Sequence, residues 1–376
     1  MKPGPAPPPW PAAPGLLGPL VGWFEAARRE LPWRAKDLDS RHPDPYAVLV
    51  SELMLQQTQV ATVIPYFQRW LRHFPDVLGL AAASGDAVHK QWEGLGYYRR
   101  ARHLHEAAKA IAERGWPEDL DGLLRLPGLG PYSAAAVAAI AFQRPEPALD
   151  GNALRVLARL LALETPAAFQ PALRDWLRPA LAGLGASRIT QGIMELGALV
   201  CLPKNPGCEA CPLADVCAAR ALGVIDTCPA TRKRPVPKEV TIALVALSCG
   251  ESWLLEQPQG KGLLAGLWRW PSLPLPSAAI QAAEAPAVFG IAEAMALPGW
   301  EQLYTHRREQ VQPCLIKAAV PFAAGPGRAW VQGDRLQHLP MGKRDQRLRA
   351  LLPGPFQPTL TALPLAEILE SLALRS

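Results

Sequence analysis

The 376-residue chain contains no apolar stretch long or clean enough to cross a bilayer, which argues against a membrane-spanning helix. It also lacks the apolar core of a signal peptide. Residues 1–15 are rich in proline and alanine with one lysine, and read as a flexible tail. Without an export signal, the thiols are expected to stay reduced in a cytoplasmic compartment. No internal repeat is visible. What is present is 49% hydrophobic at a mean hydropathy of +0.03, the balance of a globular protein of about two domains. A net charge of +6 and a pI near 9.0 lean toward a polyanionic partner, a weak signal alone.

Residues 16–226 read as helices punctuated by Pro/Gly turns. In the stretch 97–114, Ala101, Leu104, Ala108 and Ile111 line one face, leaving Arg99, Arg100, Arg102 and Lys109 free to face elsewhere. Leu154, Leu157 and Leu161 mark another helix. The character then changes. Residues 227–239 form a basic, proline-rich linker. Beyond it, 240–247, 252–256 and 311–320 are short, apolar and strand-like, which describes an α+β or mostly β domain over 240–376.

Four cysteines, Cys201, Cys208, Cys211 and Cys217, are spaced C-x6-C-x2-C-x5-C. Only one C-x2-C pair exists, where a zinc ribbon normally offers two. The uneven spacing suits a cubane iron–sulfur cluster better, with one thiolate per iron, while zinc stays open. Upstream, Leu126-Pro-Gly-Leu-Gly-Pro-Tyr-Ser-Ala134 precedes an alanine-rich helix. Gly128 and Gly130 allow a tight hairpin whose amides can point at a phosphate, or simply a closely packed corner. Asp150 and Asn152 sit at a helix start, where capping is their ordinary role and a carboxylate is expected to stay ionised. Glu52 has Val48, Leu49 and Leu55 as helical neighbours, so a desolvated, raised pKa is expected, as a general acid requires.

The cysteine run and the hairpin together resemble the endonuclease III superfamily of helix-hairpin-helix DNA glycosylases. Ser51-Glu-Leu-Met-Leu-Gln-Gln-Thr-Gln59 is similar, more narrowly, to the active-site helix of MutY-type adenine glycosylases. Leu31-Pro-Trp-Arg34, Pro65-Tyr-Phe67, Gly94-Leu-Gly-Tyr-Tyr98 and Met194-Glu-Leu-Gly-Ala198 follow the same pattern. The resemblance implies an all-α glycosylase domain with a [4Fe-4S] cluster on loop 201–217. It implies that Glu52 protonates the adenine ring and that Asp150 stabilises the sugar oxocarbenium ion. It places Arg34 and Glu195 in the base pocket, and Gln57, Leu95 and Tyr97 in the DNA stack; for Leu95 and Tyr97 core packing is the competing reading.

The next absence concerns the reaction. Bifunctional relatives carry a lysine directly after the hairpin, and its amine forms a Schiff base. Here Tyr132 stands in that place, so the chain is expected to act without efficient strand cleavage. A further absence concerns the second domain. Gly262-Leu-Leu-Ala-Gly-Leu-Trp-Arg-Trp-Pro271 resembles the Gly-Leu-Trp turn of Nudix-like domains, but 272–296 holds only Glu284 and Glu293 and no magnesium-binding R-E-x-x-E-E helix. The implied role is recognition of 8-oxoguanine opposite adenine, through Tyr304, Thr305 and His306. The expected partner is double-stranded DNA carrying A:8-oxoG or A:G mispairs, bound by a monomer with no membrane involvement. Two alternatives are an endonuclease III-like lyase for oxidised pyrimidines and a catalytically silent, cluster-bearing DNA-binding protein.

Overall fold

The computed structural model describes residues 9–34, 43–230, 236–258, 264–275, 291–304, 307–319 and 324–352. The chain forms two compact units. One comprises Met1–Ala83 and Arg100–Lys233, the other Ser84–Arg99 and Arg234–Ser376.

The first unit is helical. In chain order it contains α1 (Ala13–Ala27), α2 (Pro45–Leu55), α3 (Val60–His73) and α4 (Val77–Ala82). After α5 (Gly85–Trp92), which belongs to the second unit, come α6 (Arg99–Arg114), α7 (Leu120–Leu124), α8 (Pro131–Phe142), α9 (Gly151–Leu160), α10 (Gln170–Leu184), α11 (Ala186–Leu199) and the short α12 (Ala218–Ala221). The hub is α8. Every residue from Ser133 to Ala141 is buried, and six of these nine are alanines. Small side chains let α2, α7 and α11 pack against it on all sides, which is why it shows no polar face.

Two expectations change here. The proline-rich start is not a flexible tail throughout. Trp10 stacks edge-on against Phe169 and Trp176, Trp176 Nε1 donates to the Pro11 carbonyl at 2.7 Å, and α1 already begins at Ala13. Burying an indole outweighs the weak helix propensity of the prolines around it. Residues 1–8 and the basic residues 231–235 of the linker lie outside the described residues. Arg100, which the periodicity left facing outward, is buried at 7% exposure. Its guanidinium donates to the carbonyls of Leu53 (2.9 Å), Met54 (2.8 Å) and Gln56, thereby capping the end of α2. The last carbonyls of a buried helix need donors, and Arg100 supplies them from α6.

The second unit holds a mixed sheet of β1 (Lys238–Cys249), β2 (Ser252–Glu256), β3 (Ser272–Leu275), β4 (Ile291–Ala296), β5 (Trp300–Leu303), β6 (Arg307–Ala318) and β7 (Arg328–Gln332), followed by α13 (Lys343–Leu351). The order is β4-β6-β1-β2-β7, with β3 on β1 and β5 on β6. β1 runs parallel to β6, and every other pairing is antiparallel. Alternation along β1 sends Ala243, Val245 and Leu247 into one apolar cluster and Ile242, Leu244 and Ala246 into another. Both faces of the central strand are covered, and the sequence there reads as an unbroken apolar run.

Candidate active site and thiol cavity

Glu52 lies on α2 and is buried, at 7% exposure. Tyr132, in the first turn of α8, donates its hydroxyl to Glu52 Oε2 at 3.1 Å. Burial pushes the Glu52 carboxyl up to about 7. The Tyr132 hydrogen bond pulls against this, the Asp150 charge adds to it, and Arg34 opposes it. Burial, with the Glu52 and Asp150 charges, also drives the Tyr132 phenol well above its ordinary value, so it stays a donor.

Asp150 caps α9, accepting the Ala153 N–H at 2.7 Å. Burial raises its pKa, and the amides of Ala153 and Asn152 and the Arg155 charge only partly offset the rise. Asn152 is exposed, and its Oδ1 accepts from Arg155 Nη2 at 2.8 Å, so its side chain is committed to α9 itself.

Glu195, on α11, is 1% exposed and gripped by two arginines. Arg34 reaches Oε2 at 2.9 Å and Oε1 at 3.2 Å. Arg29, which the sequence reading missed, binds Oε1 through its backbone N–H (2.8 Å) and Nε (2.9 Å), and Oε2 through Nη2 (2.7 Å). Burial alone would raise the Glu195 pKa, but the hydrogen bonds from Arg29 and Arg34 outweigh it and hold the carboxyl at about 2. Arg29 lies only five residues before Arg34, but one arginine among Arg28, Arg29 and Arg34 carries no sequence mark that distinguishes clamp from surface charge.

Gln57 is exposed with φ of 55°, immediately after the α2 end that Arg100 caps. A left-handed glutamine is uncommon, and such strain collects at functional turns. In the hairpin, Gly128 has φ +80°, and a Cβ there would lie 2.2 Å from His103, so glycine is obligatory. Gly130 is different. It caps α8 at φ −84° with open space around it, leaving the helix N-terminus bare toward solvent.

In the second unit, Leu95 is 6% exposed and Tyr97 37% exposed, with Tyr97 at φ 48° between Gly96 and Tyr98. Leu95 therefore occupies a packed position and Tyr97 an accessible one. Tyr304 follows β5, under the guanidinium of Arg307, 5.1 Å from its ring centroid. Thr305 and His306 lie outside the described residues.

The four cysteines of the loop line one cavity with Val156, Leu196 and Leu213, and none is in a disulfide. Among the described residues, no three His, Cys, Asp or Glu side chains converge tightly enough to hold a single ion. The thiols surround a space instead, a donor set that fits a multi-iron cluster with one thiolate per iron. Arg159, 4% exposed, donates to Cys201 Sγ at 3.4 Å and to the carbonyls of Leu202 (2.6 Å) and Cys228 (2.9 Å). Arg155 donates to the carbonyls of Cys201 (2.9 Å) and Gly197 (2.9 Å). Both arginines sit on α9, so the helix capped by Asp150 also carries the loop.

Residues 50–179 match the HhH-GPD superfamily of base excision DNA repair proteins. The adenine DNA glycosylase of Mycolicibacterium smegmatis is 40% identical over 210 residues, covering 54% of this chain and 69% of that protein. The adenine DNA glycosylase of Homo sapiens is 36% identical over 318 residues, covering 68% of this chain and 57% of that protein. That of Arabidopsis thaliana is 35% identical over 295 residues, covering 68% and 46%. The chain thus spans about half the length of the human and plant relatives.

Proposed function

The chain belongs to the adenine DNA glycosylases, and from that premise we propose that it hydrolyses the N-glycosidic bond of adenine mispaired with 8-oxoguanine or guanine in duplex DNA. The observation that carries the reading is the buried Glu52 carboxyl, raised to about 7 and hydrogen-bonded to Tyr132. Adenine is a poor leaving group as an anion. A base flipped out of the stack and protonated on its ring by Glu52 departs neutral, taking the C1′–N9 electron pair with it. The sugar is left as an oxocarbenium ion, and the Asp150 carboxylate faces that charge until water adds at C1′ and sheds a proton. Glu195, held anionic by Arg29 and Arg34, gives the base pocket a fixed acceptor with a fixed orientation.

Tyr132 has no amine to attack C1′, which favours a monofunctional glycosylase over a lyase. Cys201, Cys208, Cys211 and Cys217 would hold a [4Fe-4S] cluster. When bound, it would supply a rigid staple for the loop against α9, where Arg155 and Arg159 grip the backbone. The bare α8 N-terminus at Gly130 is the natural phosphate contact, with affinity expected to fall as salt rises. The second unit would act as a Nudix-like reader of 8-oxoguanine through the hairpin at Tyr304, with Gln57 and Tyr97 entering the stack.

The test is a single-turnover assay on duplexes holding A:8-oxoG, A:G or an oxidised pyrimidine, with borohydride trapping alongside. Adenine release from the first two without a trapped adduct is the expected result. Cleavage of the pyrimidine lesion with an efficient covalent adduct would instead establish the lyase reading.

A further inference from the structure

Resting on the reading that Tyr97 and the Tyr304 hairpin touch DNA, we propose that residues 341–345 form a bracket fixing both elements on one body. Glu93, Tyr98 and Arg344 are then positioning residues for recognition of the base opposite adenine.

The turn at 94–98 cannot hold its own shape. Gly94, Gly96 and Tyr97 have φ of 95°, 78° and 48°, and only the two glycines adopt such angles without strain. Its anchor is Met341, which is fully buried. The Met341 N–H donates to Glu93 Oε1 at 3.0 Å, and its carbonyl accepts the Tyr98 hydroxyl at 3.2 Å. The same hydroxyl accepts the Gly94 N–H at 3.1 Å. The residues on either side of the turn are therefore tied to one residue far away in sequence. Lys90 adds a second tie, bridging Glu93 Oε2 (2.8 Å) and the Gln337 carbonyl (2.8 Å). α5 also lies against Gly266, where a Cβ would stand 2.8 Å from the His89 ring.

The next residues grip the other element. Asp345, fully buried, accepts the Trp270 N–H at 2.9 Å and Arg344 Nη2 at 3.2 Å. Arg344, 4% exposed, reaches Glu309 Oε2 at 3.6 Å. Glu309 pairs with Arg307 at 2.6 Å, and Arg307 covers Tyr304 and accepts the Tyr304 N–H at its carbonyl at 2.9 Å. Apolar residues of similar volume would often be as stable in place of these buried charges, so their use here is read as fixing a geometry. A charged pair holds one arrangement, where an apolar contact tolerates many.

Loosening the bracket should therefore lower the preference for 8-oxoguanine over guanine, and leave bond cleavage itself intact. The measurement is single-turnover adenine release by the full chain from A:8-oxoG and A:G duplexes, with hydrogen exchange of the 94–98 amides. Tyr98→Phe deletes one hydroxyl, and Glu93→Ala one acceptor. Each is expected to cut the preference about five- to tenfold, the worth of a typical hydrogen bond, with faster exchange at 94–98. The rate on A:G should stay at the wild-type value. Glu93→Gln keeps an oxygen for the Met341 N–H and should keep the preference. Wild-type preference in both Tyr98→Phe and Glu93→Ala overturns the bracket. Should the unmutated chain release adenine from neither duplex, the glycosylase reading fails, and exchange alone decides. Unchanged protection at 94–98 in Tyr98→Phe then overturns the bracket as well.

Discussion

Glu52→Gln should make the protein more stable and catalytically inert at once. Glutamine keeps the shape of glutamate and still offers an oxygen to the Tyr132 hydroxyl, so packing around α2 is preserved. What disappears is the proton. With a pKa of about 7 instead of the usual 4.5, roughly half of the Glu52 carboxyls are protonated at pH 7, against about 0.3% for an ordinary glutamate. A general acid of this kind contributes on the order of 10²–10⁴ in rate, so adenine release should fall by at least about a hundredfold.

The sign of the stability effect follows from the same shift. The folded chain binds the Glu52 proton more tightly than the unfolded chain does. Stability from this group is therefore intact below the unfolded value of 4.5 and is lost as pH rises through about 7. The loss approaches about 3 kcal/mol at pH 8 and stays under ~1 kcal/mol at pH 5, as an order of magnitude. Glutamine does not titrate, so the variant should gain over wild type in urea at pH 8 and gain little at pH 5. The wild-type rate should likewise decline as pH climbs through 7. A variant with wild-type single-turnover rate, or a stability gain independent of pH, would refute the assignment of Glu52 as a desolvated acid.

Tyr132→Phe removes the hydrogen bond that lowers the Glu52 pKa, so the alkaline limb of the pH–rate profile should move upward; an unmoved or downward-shifted limb contradicts the pairing. Glu195, held at about 2, stabilises the fold above its ordinary value of 4.5, and that contribution is lost as pH falls toward 2. Glu195→Gln should cost roughly 3–5 kcal/mol near neutral pH, because two arginines lose their counter-charge, and acid should narrow the gap to wild type. The hairpin glycines should separate cleanly: Gly128→Ala meets His103 at a positive φ and should unfold at lower temperature, whereas Gly130→Ala enters open space and should keep its melting point. For the loop, iron and sulfide analysis of the purified chain should give about four of each, and Cys208→Ser should lower both and weaken DNA binding; zinc in their place would refute the cluster.

The chemistry was legible in the sequence wherever a residue's burial follows from its own helix. Glu52 is such a case, since Val48, Leu49 and Leu55 already place it on an apolar stripe, and the structure agrees with a raised pKa. Strand β2 was readable to the residue, and β1 and β6 were recognisable from their apolar runs. Illegible were the partnerships made across long sequence distances. Arg29 and Arg100 look like any surface arginine, and only the fold shows that one closes on Glu195 and the other on the end of α2. Asp150 shows the limit from the opposite side. Its capping role was plain, but the degree of burial that raises its pKa depends on elements far from α9.

The same distinction explains how acid and anion can coexist in one helical unit. Glu52 and Glu195 are both buried carboxylates, so desolvation pushes both toward the neutral form. They diverge because their donors differ. Glu52 receives one neutral hydroxyl at 3.1 Å, which weakens the shift without reversing it. Glu195 receives two guanidinium groups and a backbone amide at 2.7–3.2 Å, which reverses it. A charge-assisted bond is about twice as strong as a neutral one, and two bidentate arginines exceed what burial removes. One carboxyl is thereby kept as a proton donor and the other as a permanent acceptor. An arginine placed beside Glu52 should lower its pKa, and a tyrosine in place of Arg29 should raise that of Glu195, with Arg34 still opposing the rise.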